Sequence, residues 1–179
     1  MLNTILGSLS SGVAASTSSY ESIASATGNG SSTSLSLNSI PGTYASLQLR
    51  VFTNDASNTG YQFWVQPNGA TPDTRHELDG LGSSVSVGGY TGGVNMALTR
   101  PSSSSYFTAA IFDFHDYAST TNYKTIRYFG GNDTNGGGQV NLRSALYMST
   151  SAITSLTITC SSGAFGTGST FALYGIKGA

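Results

Sequence analysis

Residues 106–133, YFTAAIFDFHDYASTTNYKTIRYFGGND, contain two runs rich in aromatic and β-branched residues, separated by a polar link. The runs are Tyr106 to Phe114 and Tyr123 to Phe129, and turn residues bound them, which predicts two strands of a sheet rather than one helix. The first run is apolar on both faces. Such a strand belongs in the middle of a sandwich, or between a core and a neighbouring subunit.

Outward from this stretch, the chain continues as short alternating runs separated by Gly, Pro and Asn turns. The clearest run is Ser46–Thr53, where Leu47, Leu49 and Val51 alternate with polar positions and Phe52. About ten such runs without a convincing helix predict an all-β, single antiparallel β-sandwich, jelly-roll-like, with an extended N-terminal arm. The region from Pro67 to Gly93 is weakly patterned and is expected to be a long loop with one strand near 83–87.

The composition predicts one domain and few charged partners. The chain has 179 residues, 8% of them charged, and a net charge of -1. This length suits one domain with a sizeable core, here residues 20–179. Scattered basic residues without a patch argue against nucleic-acid binding, and no apolar run is long enough to cross a membrane.

Residues 1–19 form the predicted extended arm. They are Ser, Gly and Ala with a few aliphatic positions, which is too little to bury a helix face, and they lack the basic start of a secretion signal. We expect this arm to lie along another chain of a larger assembly. Its expected contact residues are Leu2, Ile5, Leu6 and Leu9.

Two polar clusters are candidates for chemistry. Asp113 and His115 share one face of their strand about 7 Å apart, near the limit for two ligands of one metal, although both residues could instead cap the strand end. Residues 73–79, DTRHELD, are dense in charge. Neighbouring His76 and Glu77 point to opposite sides of an extended chain, so a solvated loop with local ion pairs is the favoured interpretation. No cofactor, catalytic residue or metal ligand set is predicted.

The single cysteine and the aromatic residues have simpler interpretations. Cys160 allows no intrachain disulfide and is expected to be a small buried hydrophobe at the end of a strand. Several aromatic side chains are expected on the exposed faces of their strands, where they would stack on a sugar ring or on a neighbouring subunit. These interface or glycan-stacking candidates are Phe52, Trp64, Tyr106, Tyr128, Tyr147 and Tyr174.

Four segments together resemble small virion structural proteins of tailed bacteriophages, especially cyanophages and marine phages. They are SYESIASAT (19–27), SLNSIPGTYASLQLRV (36–51), DYASTTNYKTIRYFGGND (116–133) and AITSLTITCSSGAFGTGSTFALYGIK (152–177). The resemblance spans most of residues 19–177 and implies a β-rich, non-enzymatic virion component. It brings no catalytic residues.

The resemblance and the predicted arm together favour a capsid decoration or cement protein that strengthens the head through multi-copy contacts. Its expected partners are the major capsid protein or tail proteins and further copies of itself, possibly as a trimer, with no nucleic acid or membrane. The alternative is a fibre-like module on the tail or head exterior that recognises a host surface glycan. In either case the expected location is the virion, assembled in the host cytoplasm.

Overall fold

Two antiparallel sheets face each other in the computed structural model, which describes residues 18–57, 62–92, 98–99 and 105–178. Twelve strands and no helix lie within these residues. The strands are β1 (Tyr20–Thr27), β2 (Ser34–Leu37), β3 (Ser46–Thr53), β4 (Gln62–Pro67), β5 (Thr74–Leu81), β6 (Ser84–Thr91), β7 (Leu98–Thr99), β8 (Thr108–His115), β9 (Lys124–Asp133), β10 (Gly138–Tyr147), β11 (Leu156–Cys160) and β12 (Thr170–Ile176).

The large sheet has the order β1-β12-β3-β8-β9-β10-β5-β6, and the small sheet has the order β2-β11-β4-β7. The chain crosses repeatedly from one sheet to the other, which is the jelly-roll-like feature of the fold. The strands β8, β9 and β10 are consecutive hairpins at the centre of the large sheet. The all-β antiparallel sandwich predicted from the sequence is confirmed.

Strict alternation of side chains builds the core between the sheets. On β3, Leu47, Leu49 and Val51 are buried and Arg50 and Phe52 are exposed, as the sequence predicts. The neighbouring strands supply aromatic rings, and the small sheet supplies the opposite wall. The large sheet contributes Phe112, Phe114 and Phe171 to the core, and the small sheet contributes Phe63, Val65, Leu156 and Ile158. Cys160 is buried at the end of β11, as expected.

The stretch that decides the fold forms β8, a link and β9. On β8, Ala110, Phe112 and Phe114 point into the core, while Ala109 and Ile111 lie on the exposed face. The link is not wholly polar in its packing. Tyr117 is buried there, and its hydroxyl donates to the Pro41 carbonyl at 2.5 Å and accepts from the Tyr44 amide at 3.1 Å.

One prediction is wrong in this part of the chain. Residues 73–79 do not form a solvated loop, because Thr74–Leu81 is a full strand paired with β10 on one side and β6 on the other. The opposite orientation of His76 and Glu77 is nevertheless as predicted, since His76 is exposed and Glu77 faces the inner side. The expected arm and its contact residues Leu2, Ile5, Leu6 and Leu9 lie outside the described residues.

Candidate interaction face

The second apolar side of β8, with Ala109 and Ile111, lies on the outer face of the large sheet. Cross-strand pairing extends this side over six neighbouring strands, β3, β8, β9, β10, β5 and β6. Two adjacent rows of paired residues run across it, and together they are called the apolar face below. The Phe129 row is Arg50, Ile111, Phe129, Leu142, Leu78 and Val87, and the Gly131 row is Phe52, Ala109, Gly131, Val140, Gly80 and Val85.

Large apolar side chains on this face are open to solvent. Phe129 is 58% exposed and Val87 is 75% exposed, and Ile111, Leu142, Leu78, Phe52, Val140 and Val85 are exposed as well. Scattered exposed hydrophobic residues are ordinary on a protein surface, but a contiguous patch of this extent marks an interaction site. The face is therefore the candidate interaction surface of the large sheet.

A groove of about 700 Å³ lies over the Gly131 row. Ala109 and Gly131 form its floor, and Phe52 borders it together with Phe107, whose ring stacks on Phe52 with centroids 4.3 Å apart. Gly131 cannot be enlarged, because a Cβ there would collide with the Gln139 carbonyl oxygen. Backbone packing thus fixes the hollow in the sheet surface.

A polar border flanks the apolar face on the side of β12. The Arg50 guanidinium lies between the rings of Tyr20 and Tyr174, about 5 Å from each centroid. Arg50 Nε donates to Gln48 Oε1 at 2.8 Å, and Gln48 Nε2 donates to Asp113 Oδ1 at 2.9 Å. These contacts tie Arg50, at the β3 end of the Phe129 row, to the neighbouring polar and aromatic side chains.

Asp113 and His115 share the exposed face of β8, as their spacing predicts. Asp113 bonds to Gln48 across the strand pair rather than to the turn that follows. Among the described residues, no group of three or more His, Cys, Asp and Glu side chains is placed to hold a metal ion. Asp113 thus has a local structural partner in Gln48.

A charged network lies on the inner face of β5 and β10. The local ion pairing predicted for residues 73–79 is found in it as Arg75–Glu77, whereas its extension to Arg143 and Asn141 on β10 was not predicted. Arg143 contacts Asp79 through Nη2 to Oδ2 at 2.7 Å, and Asn141 donates to the other Asp79 oxygen at 2.7 Å. Glu77 contacts both Arg143 and Arg75, at 3.4 and 3.0 Å. Two arginines and two carboxylates therefore balance in a nearly buried cluster. The sequence held no signal for this pairing, because the inner side of β5 is charged and Arg143 is distant from it along the chain.

The predicted aromatic candidates divide into two groups. Phe52 is exposed, and Trp64, Tyr106 and Tyr174 are half-buried. Tyr128 and Tyr147 are buried in the core, at 2% and 7% exposure, so their expected role in stacking on a partner is wrong. The sequence placed them on the wrong face because apolar residues occupy both sides of β9 and β10.

Trp64 lies on the outer side of the small sheet, among hydroxyl groups. Its strand neighbour Gln66 accepts a hydrogen bond from Thr159 at 3.3 Å, and Thr159 lies 3.3 Å from the Ser34 hydroxyl. Thr159 is also the cross-strand partner of Trp64. The result is a polar surface with one large ring, called the hydroxyl face below.

No family model, curated protein or solved structure matches this chain. In the part of the chain that the structure describes, no helix is long and apolar enough to cross a membrane. The two outer faces of the sandwich are thus the features on which a functional argument can be based.

Proposed function

We propose that this protein is a non-enzymatic structural component of a bacteriophage particle, where it decorates or cements the head through repeated subunit contacts. The observation that carries the proposal is the apolar face, which leaves eight large hydrophobic side chains exposed on one side of the sandwich. Such a surface is costly to leave in water and is stabilised when another protein covers it. The resemblance to phage virion proteins indicates which kind of assembly this is.

The chemistry of the face suits a stable contact. Its centre contains no charged residue, and its border supplies Arg50, Asp113 and Arg127, which matches the apolar core and polar rim of protein interfaces. In a shell, each copy meets its neighbours many times over, so that weak single contacts add up to strong overall attachment. Partners on the particle would be the major capsid protein, tail proteins and further copies of this chain.

Deleting the gene from the phage that encodes this chain tests the proposal. Particles without the protein should lose infectivity sooner than intact particles on heating, chelation and osmotic shock, and supplying the protein in trans should restore their resistance. Equal resistance of the two kinds of particle would contradict a cementing role. Mass spectrometry of purified intact particles should detect the protein at a copy number comparable with that of shell subunits.

The hydroxyl face favours one second candidate, recognition of a host surface glycan. An aromatic ring beside hydrogen-bonding side chains is a usual arrangement for binding sugars, and Trp64 lies beside Gln66 and Thr159. On a glycan array, this candidate predicts binding that Trp64→Ala abolishes and Phe52→Ala leaves intact, since Phe52 lies on the opposite sheet. The absence of any bound glycan would exclude it.

A further inference from the structure

The two rows of the apolar face differ in side-chain size on the strands at and beside its centre. Ile111 in the Phe129 row adjoins Ala109 in the Gly131 row on β8, Phe129 adjoins Gly131 on β9, and Leu78 adjoins Gly80 on β5. On β10, which lies between β9 and β5, Leu142 and Val140 are both large and exposed. The large residues thus form a ridge beside a hollow that is deepest over β8 and β9, where the groove lies. The ridge of one surface can fit into the hollow of another when two copies of that surface meet.

From this relief we infer that the apolar face is covered by the same face of a second copy of the chain. The two-fold axis would lie midway between the two facing sheets and parallel to them. It would run across the strands at right angles, between the Phe129 row and the Gly131 row. The inference rests on the proposed structural role only in treating the face as an assembly surface. It names the partner that covers it.

This axis places each ridge over the partner's hollow. Rotation about it keeps the strand order and reverses strand direction, so β9 of one copy lies antiparallel over β9 of the other. Phe129 then meets Gly131 of the partner subunit, and Ile111 meets Ala109 of the partner subunit. A contact that exchanges two different residues in this way is the isologous type found in two-fold dimers.

The other in-plane axis, parallel to the strands, fits poorly. It would place Phe129 against Phe129 and Gly131 against Gly131, so that the ridges would hold the sheets apart and the hollows would remain empty. Voids and overpacking each cost stability because side chains at interfaces pack as densely as in protein interiors. The relief of the face therefore selects the axis that crosses the strands.

The charges at the ends of β9 agree with the same axis. The exposed face of this strand carries Arg127 at one end and Asp133 at the other, with Phe129 and Gly131 between them. Antiparallel overlay centred near Gly130 brings Arg127 towards Asp133 of the partner subunit, and the symmetric pair forms as well. Packed sheets cross at about 30°, which displaces the strand ends by about 5 Å, within reach of an arginine side chain.

The apolar face and its charged border together cover the area of a small dimer interface. Six strands about 4.8 Å apart and six residue steps of about 3.4 Å from Arg127 to Asp133, which extend two residues beyond the two rows at each end, give roughly 25 by 20 Å, or about 500 Å², in projection. With the relief of the side chains and the polar border, this approaches the roughly 800 Å² per partner of a standard protein interface. A lipid surface or a nucleic acid would need a cluster of basic residues, and the two arginines on this side, Arg50 and Arg127, lie on β3 and β9 with Ile111 and Asp113 of β8 between them.

Light scattering on the full chain after size exclusion tests the inference. At about 10 μM the wild type should elute with twice the 18.4 kDa chain mass, given that dimers of this interface size have dissociation constants from micromolar downwards. Ala109→Lys places a charge in the hollow and should weaken the dimer at least about 100-fold. Ser36→Lys, an exposed position on the small sheet, is the matched control and should remain dimeric. A single-chain mass for the wild type, a three-chain mass, or a dimeric Ala109→Lys protein would overturn the inference.

Charge exchange tests the register of the contact with variants at two exposed positions. Asp133 Oδ1 also accepts from the Asn135 amide at 2.8 Å in the β9–β10 turn, so urea unfolding of Asp133→Lys accompanies the measurement of its mass. Arg127→Glu and Asp133→Lys each create two like-charge contacts in the symmetric dimer and should each weaken it about 10-fold. An equimolar mixture of the two variants should restore wild-type affinity. In the mixed dimer the two introduced side chains, of opposite charge, face each other, and the unchanged Arg127 of one copy faces the unchanged Asp133 of the other. A mixture no tighter than either variant alone would overturn the axis.

These outcomes are independent of the test of the proposed function. A monomeric purified protein together with fragile gene-deletion particles would refute the self-association and leave the structural role intact. A dimer together with particles of undiminished resistance would refute the structural role and leave the self-association intact. Circular dichroism and urea unfolding of each variant establish that it is folded before its mass is interpreted.

Discussion

Lys124 is a charged residue in the interior of the sandwich. Its side chain is fully buried, and its ammonium donates to the carbonyl oxygens of Ser119, Asn122 and Ser149 at 2.8, 3.0 and 2.8 Å. Burial lowers the pKa of the Lys124 ammonium, and the nearby Asp116 opposes this shift. The three bonds close the β8–β9 link onto the end of β10, and they use all three donors of the group.

Lys124→Met should therefore lower the free energy of unfolding by about 2–4 kcal/mol, because the carbonyl groups of Ser119, Asn122 and Ser149 lose their shared donor. Urea unfolding followed by circular dichroism measures the change. Lys177→Met is the control, since Lys177 contacts Glu21 at 3.1 Å on an exposed surface and its loss should leave the unfolding midpoint unchanged. Equal midpoints for the two variants would contradict the structural role of Lys124.

Tyr117 should make the free energy of unfolding depend on pH. Burial raises the pKa of the Tyr117 hydroxyl above its usual value of 10.0, and the hydrogen bond from the Tyr44 amide lowers it in part. A raised folded-state pKa contributes stability that is complete below the unfolded value and is lost as pH rises through the folded value. The free energy of unfolding should thus decline above about pH 10, and Tyr117→Phe should flatten that decline. A decline of the same slope in the variant would show that other groups cause it.

At the scale of elements, the sequence predicted strands where one face is apolar and missed the strand where it is not. Alternation identified β3 with its boundaries, and it located β8 and β9 to within two residues at their starts. On β5 the inner positions are Arg75, Glu77 and Asp79, so the alternation rule had no apolar side to detect. Their neutralisation depends on Arg143, which is distant in sequence and adjacent only through the β5–β10 pairing.

The β5 network leads to a prediction about that element. Asp79→Ala leaves the buried Arg143 without its closest carboxylate and should destabilise the protein by about 3 kcal/mol, with hydrogen exchange speeding up first in β5 and β6. The matched control is His76→Ala, which removes an exposed side chain on the opposite face of the same strand. Uniform exchange across the large sheet in Asp79→Ala would contradict a local role for the network.

At the scale of the whole molecule, the candidate site could be predicted only in part. The sequence indicated that the first run of the deciding stretch is apolar on both sides and that one side meets either a core or a neighbour. The extent of the apolar face was not readable, because its members come from six strands whose neighbours are set by the sheet order. Phe52, an expected interface residue, was found because its strand is strongly patterned. Val85 and Val87 lie on β6, where a strand near 83–87 was predicted, but the place of that strand in the sheet order was not readable from the sequence.

If the apolar face is covered by a second copy, the stability of the molecule depends on its concentration. A dimer that unfolds to separate chains gains stability with increasing protein concentration by mass action, so the thermal midpoint should rise over a range from about 1 to about 100 μM. Ala109→Lys should unfold at a midpoint that does not change with concentration, and Ser36→Lys should retain the wild-type dependence. Differential scanning fluorimetry across the concentration series gives all three curves.

Since burial of apolar area carries a negative heat-capacity change, isothermal dilution of the wild type should also give a dissociation enthalpy that rises with temperature. A temperature-independent enthalpy would show that the contact does not bury the Phe129 and Gly131 rows.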